Sequence, residues 1–180
     1  MTDIKDEIFK AYDVRGIYGE TITDEISYLF GRGLVQYLGA TTVAVGYDMR
    51  ESSPSLAQSM IRGITDQGAN AADLGKISTD SLYFAVGQFG YPAGVMITAS
   101  HNPPEYNGYK VFWDDGAQVV APHDVAIIDE VNAVGDSVQT IEKADAEKQG
   151  LVHTVDDASL SAYYDMIEKK LPVFKSHGDR

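Results

Sequence analysis

The sequence has no cysteine. Disulfides and thiolate metal sites are therefore excluded, which fits a reducing compartment. Basic residues are also scarce: 14 Lys and Arg stand against 27 Asp and Glu, a formal net charge of −13. A surface of that sign repels nucleic acid and anionic membranes, so neither is expected as a partner. A small anionic ligand stays open, because exposed charges are screened beyond about 8 Å at physiological salt. No apolar run reaches the length of a membrane span, and the opening MTDIKDEIFK lacks the apolar centre of a signal peptide. A cytoplasmic location is expected. Prolines number six, and two of them stand together at Pro103-Pro104, where they forbid regular structure.

What is present suffices for one domain. The chain has 180 residues, 44% of them hydrophobic, and a domain of this size buries about 70% of its unfolded surface. A first strand is expected over 8–12, followed by a two-glycine loop over 13–19. Thr23 caps a helix through Ile26, Leu29, Phe30, Leu34, Tyr37 and Leu38, which Gly39 stops. Strands follow over 42–47, 71–74, 93–97 and 109–113. Helices fall between them: one capped by Ser53 and opened by Pro54, and one capped by Thr79 with Leu82, Tyr83, Val86 and Phe89 inward. Another helix starts at Pro122 and buries Val125, Ile128 and Val131. Residues 135–150 are polar with room for a short solvated helix, and 151–155 read as extended. A last helix runs over 157–171 through Leu160, Tyr163, Tyr164, Ile167 and Leu171. Alternating strands and helices predict a three-layer α/β/α sandwich. No helix links 93–97 to 109–113, so those two strands pair antiparallel and the sheet is mixed, mostly parallel. One domain is expected over 1–171, with 172–180 a loose tail.

The stretch with chemical content is Thr98-Ala99-Ser100-His101-Asn102-Pro103-Pro104-Glu105-Tyr106-Asn107-Gly108-Tyr109-Lys110. It is a stiff polar loop at the carboxyl end of a buried strand, the edge where open α/β sheets bind ligands. Ser100 is the candidate nucleophile. A Ser-His hydrolase dyad is disfavoured: adjacent side chains seldom attain the required geometry with a third orienting group, and no G-x-S-x-G elbow is present. Trp113 reads as packing, and Asp114-Asp115 as a turn rather than a metal site.

The six residues Thr98 to Pro103 match T-[GA]-S-H-N-P, and the whole stretch resembles the phosphoserine loop of the α-D-phosphohexomutase family. Phe9-Lys10-Ala11-Tyr12-Asp13-Val14-Arg15-Gly16 is similar to that family's opening F-x-x-Y-D-x-R-G. Gly46-Tyr47-Asp48-Met49-Arg50 with Ser53 is similar to its G-x-D-x-R…S loop. The resemblance covers 8–113 and extends to about 171. It is nearest to the phosphomannomutase/phosphoglucomutase branch, with phosphoglucosamine mutase as a substrate variant.

The resemblance implies that Ser100 carries a phosphoryl group, passes it to a mannose or glucose phosphate, and takes another back from the hexose 1,6-bisphosphate so formed. It implies Arg15, His101 and Lys110 as catalytic groups. It implies Tyr12, Arg15, Asn102 and Lys110 as substrate contacts, and Mg²⁺ held in part by the phosphoryl oxygen on Ser100. Arg50 either orders its own loop through Asp48 or reaches the ligand. The family's D-G-D-x-D-R metal loop, its G-E-x-S-G-H sugar loop and its C-terminal phosphate loop are not in this sequence. The expectation is therefore a nucleophile-bearing domain, inactive as a mutase by itself, whose partners are hexose phosphate and the family's later domains. Self-association through an uncovered interface is also expected. A non-catalytic module binding sugar phosphate or a partner protein is the alternative.

Overall fold

The structure is a computed structural model that describes residues 8, 13–134, 140–156 and 158–171, with backbone only over 158–160. Residues 9–12 of the expected first strand, Tyr12 among them, lie outside the described residues. So do 135–139 and the tail 172–180.

In chain order the elements are β1 Val14–Ile17, α1 Asp24–Leu38, β2 Thr42–Tyr47, α2 Ser53–Asp66, β3 Asn70–Lys76 and α3 Thr79–Phe89. Then come β4 Ala93–Ile97, β5 Tyr106–Trp113, α4 His123–Ala133, α5 Lys143–Lys148, β6 Val152–Thr154 and α6 Ala158–Lys170. The strands form one sheet in the order β1-β5-β4-β2-β3-β6. β5 runs antiparallel to both β4 and β1, while β2, β3, β4 and β6 pair in parallel. The mixed, mostly parallel sheet and its antiparallel 93–97/109–113 pair are as expected from the sequence. α1, α2 and α4 cover one face with Ile26, Phe30, Leu34, Leu56, Met60, Ile64 and Ile127. α3 covers the other with Leu82 and Val86. No helix of the described residues is long and apolar enough to cross a membrane.

Local signals explain most boundaries. Thr23 is extended and its hydroxyl accepts from Ile26 N, which starts α1; Gly39, at φ +57°, ends it. Other expectations need correction. The stretch read as a two-glycine loop is strand β1, because its backbone pairs with β5 from Val14↔Tyr109 to Ile17↔Tyr106. Strand β5 begins at Tyr106 rather than 109 for the same reason. Ser78, not Thr79, caps α3 by accepting from Ser81 N. In α3 the inward stripe is Ser81, Leu82, Ala85 and Val86, while Tyr83 and Phe89 are exposed. Val125 of α4 and Tyr164 and Leu171 at the C-terminal end are exposed too. The helices lie on the sheet through narrower stripes than their hydrophobic residues suggest.

Tyr109 is 1% exposed, packs its ring 5.0 Å from Phe30, and has a buried hydroxyl without a hydrogen-bond partner among the described residues. Burial pushes its phenol above the usual tyrosine range. Unfolded tyrosine ionises near pH 10. Above that pH the unfolded chain releases a proton that the folded chain keeps, so stability falls as pH rises. Tyr109→Phe is expected to flatten this alkaline decline at almost no cost at pH 7. Urea melts of both proteins between pH 7 and 11 check it.

Candidate functional site

β2 and β4 are neighbours, with Tyr47 opposite Ile97. Their carboxyl ends release two loops side by side, joined at once by Asp48 N donating to Ile97 O at 3.0 Å. β2 leads through α2 to β3 on one side, and the chain then returns through α3 to β4 on the other. That reversal opens the crevice where open α/β sheets take ligands.

Ser100 sits at the tip of the second loop and is exposed. Its φ is +56°, the one positive value at a non-glycine residue among those described. A left-handed backbone at such a residue costs on the order of 1–3 kcal/mol and persists only where neighbours impose it. The neighbours are identifiable. Ser100 N donates to Thr98 Oγ1 at 3.0 Å, and Thr98 Oγ1 donates to Asp48 Oδ2 at 2.8 Å. Asn102 N closes a turn onto Ala99 O.

Arg50 does most of the fastening. Its Nη1 donates to Pro103 O and Tyr106 O at 2.7 and 3.0 Å. Its Nη2 donates to Ser100 O and Asn102 O at 3.0 and 2.8 Å. Its Nε donates to Asp48 Oδ2 at 3.2 Å. A guanidinium has five N–H donors, and all five are engaged. Of the two roles open for Arg50, the geometry favours ordering a loop, and the loop ordered is that of Ser100.

Asp48 is saturated as well: Oδ1 accepts from Ser53 Oγ at 2.7 Å and from Arg50 N at 3.1 Å. Asn107, fully buried, donates through Nδ2 to Ser52 Oγ and Ser53 Oγ at 2.8 and 2.9 Å. Ser53 was expected to cap α2. Instead α2 has no side-chain cap, and the Ser53 hydroxyl serves this network between loops. The fastening residues Asp48, Arg50 and Asn107 lie in the motifs noted in the sequence, but their mutual contacts are tertiary and leave no local signal.

His101 Nδ1 stands 3.3 Å from Ser100 Oγ, and both side chains are exposed. No third group orients the ring among the described residues, so the pair lacks the support a hydrolase dyad needs. Arg15 lies on β1 opposite Gly108; its Nη1 donates to Asn102 Oδ1 at 3.0 Å and its Nη2 pairs with Asp13. Two of its five donors are thus engaged and the rest are free among the described residues. Lys110 lies on β5 opposite Met96, half-buried and without a hydrogen bond among the described residues. Strand alternation puts it on the same sheet face as Gly108 and Arg15. Tyr12 is outside the described residues. Asp115 holds a turn by accepting from Ala117 N at 2.8 Å, and Trp113 packs edge-on against His123.

Among the described residues no group of three or more His, Asp or Glu side chains stands together where a metal would bind. Mg²⁺ demands near-octahedral oxygen coordination. A phosphoryl group on Ser100 would add an oxygen donor, but Asp48, on the adjacent loop, is already saturated by hydrogen bonds. The residues described here do not fit a magnesium site by themselves.

An exposed serine on a clasped bend at the carboxyl edge of a mixed sheet defines the class: a three-layer α/β domain with a serine-tipped loop at that edge. Residues 6–137 match the family described as phosphoglucomutase/phosphomannomutase, alpha/beta/alpha domain I, and the chain belongs to that family. It is 39% identical over 173 residues to a phosphoglucomutase of Neisseria gonorrhoeae, covering 93% of this chain and 35% of that protein. It is 47% identical over 114 residues to a phosphoglucomutase of Neisseria meningitidis serogroup B, covering 62% and 25%. A solved phosphoglucomutase/phosphomannomutase family protein from Burkholderia thailandensis superposes with a TM-score of 0.71 at 27% identity, over 88% of this chain and 35% of that one. The chain thus spans about a quarter to a third of the length of these relatives.

Proposed function

We propose that Ser100 is the phosphoryl-carrying hydroxyl of a phosphohexomutase acting on glucose or mannose phosphates, and that this chain is its nucleophile-bearing domain. The observation that carries the reading is the exposed Ser100 oxygen, held at φ +56° by a loop whose carbonyls are gathered on Arg50. In the forward step the P–Oγ bond of phosphoserine breaks and a P–O bond forms to a sugar hydroxyl. The hydroxyl gives up its proton to a base, and Oγ takes one up. The reverse step, from the other end of the hexose 1,6-bisphosphate, restores phosphoserine. Net, phosphate moves between C1 and C6.

Catalysis of such a transfer is mostly placement of charge around a loosely bonded phosphoryl group. Arg15 offers its free donors to phosphoryl oxygens in a planar fork. His101, 3.3 Å from Oγ, is placed to exchange the proton there. Lys110 supplies a compact positive charge for the sugar-borne phosphate, and Asn102 holds Arg15 in position. Mg²⁺ and the bisphosphate belong to this reading as cofactor and primer of the complete protein, and the partner segments are the rest of the relatives' length.

The test is transfer of label from ³²P-glucose 1,6-bisphosphate to the purified chain. Acid-stable label on Ser100, at most one per chain and absent from Ser100→Ala, is expected. Bisphosphate that binds without labelling any residue would indicate the non-catalytic module instead.

A further inference from the structure

We propose that Arg50 is a positioning residue for phosphoryl transfer: its guanidinium locks Ser100 in the left-handed conformation from which Oγ reacts. The inference rests on Ser100 being the phosphoryl carrier, and it assigns to Arg50 a part in the rate rather than in binding. The side chain is 11% exposed. Its donors reach Ser100 O, Asn102 O, Pro103 O and Tyr106 O, with Asp48 taking the fifth. No N–H remains for a ligand.

Four carbonyl oxygens converging on one point repel one another, and a phosphoryl group on Oγ adds a charge of about −1.5 to −2 beside them. One delocalised cation compensates all four oxygens and fixes their directions. Once the carbonyl of Ser100 is fixed on Arg50 and its N–H on Thr98 Oγ1, both peptide groups flanking its Cα are held, and with them the origin of the Oγ vector. Lysine cannot replace this: its ammonium is a point charge with three donors and no planar fork.

The consequence is a split between rate and affinity. Misplacing a reacting group by about 1 Å costs roughly 100-fold in rate. Arg50→Lys and Arg50→Ala are therefore expected to lower the first-order rate of Ser100 labelling by ³²P-glucose 1,6-bisphosphate about 100-fold, at saturating bisphosphate. The dissociation constant of the bisphosphate, read by calorimetry, should change by less than about 3-fold. Methylguanidinium should restore about tenfold of the rate in Arg50→Ala, which a merely unfolded variant would not show. Asp48→Asn, which weakens the contact to Nε, should lower the rate about tenfold.

Wild-type rates in both Arg50 variants overturn the proposal. So does a tenfold loss of affinity at unchanged rate, which would make Arg50 a ligand contact. If the Arg50 variants do not fold, an unchanged rate in Asp48→Asn overturns it. Failure of the wild-type chain to label contradicts the phosphoryl-carrier reading instead. The locking claim is then decided by exchange of the hydrogen-bonded amides of Ser100, Asn102 and Tyr106 in Arg50→Lys: faster by about 100-fold supports it, and unchanged exchange refutes it.

Discussion

Gly108→Ala is expected to remove about 3 kcal/mol of stability and to weaken bisphosphate binding about tenfold. A Cβ built at Gly108 would stand 1.9 Å from Val14 O and 3.0 Å from Arg15 Cα. Both are backbone atoms of β1, so no side-chain rotation relieves the overlap. Overpacking of this kind typically costs about 1–3 kcal/mol, and an overlap with backbone belongs at the upper end. β1 is an edge strand held to the sheet through β5 alone, so it is β1 that must move. Arg15 moves with it, away from Asn102, and its free donors leave the rim of the site. For a domain of this size the loss corresponds to a fall in Tm of about 6–12 °C. Calorimetric scans and bisphosphate titration of the same sample check both halves.

Gly63→Ala is expected to cost a similar ~3 kcal/mol by an unrelated route. Helices α1 and α2 cross at very short range: a Cβ on Gly63 would lie 2.1 Å from Tyr28 O. One turn further along α1, a Cβ on Gly31 would lie 2.5 Å from Met60 O. Alanine at 63 forces the helices apart, opening the seam where Phe30, Met60 and Ile64 meet. Unlike Gly108, Gly63 has no contact with β1, so Arg15 stays where it is. Urea denaturation is expected to show a lower midpoint, with bisphosphate affinity changed less than twofold at concentrations where the variant remains folded.

These two glycines show where the sequence was legible and where it was not. The alternation of apolar strands with capped helices was enough to read the layers and the antiparallel β4–β5 pair, because those follow from period and loop length. Val14-Arg15-Gly16-Ile17 carries no such period. It is a strand only because Gly108, almost a hundred residues away, lets its backbone approach β5. Ser53 followed by Pro54 has the local form of a helix start, yet the serine hydroxyl goes to Asp48 and accepts from Asn107; tertiary partners outcompete the local cap. The aromatic residues of α3 match a helical stripe in spacing, but the sheet buries only Leu82 and Val86 of it, and Tyr83 meets Phe112 of β5 with its ring still partly exposed.

The candidate site divides in the same manner. Ser100, His101 and Asn102 stand out in a continuous motif, and the structure brings Arg15 to Asn102. The fastening by Arg50 could not be read, because the groups it bonds are backbone carbonyls, which are the same in every sequence. Only the folded loop aims them at one point.

The most direct measurement is the fate of ³²P from glucose 1,6-bisphosphate on the wild-type chain and on Ser100→Ala. Acid-stable label that peptide mapping places on Ser100 is expected, with none on the variant. Label on another residue, or label that persists in Ser100→Ala, would contradict it.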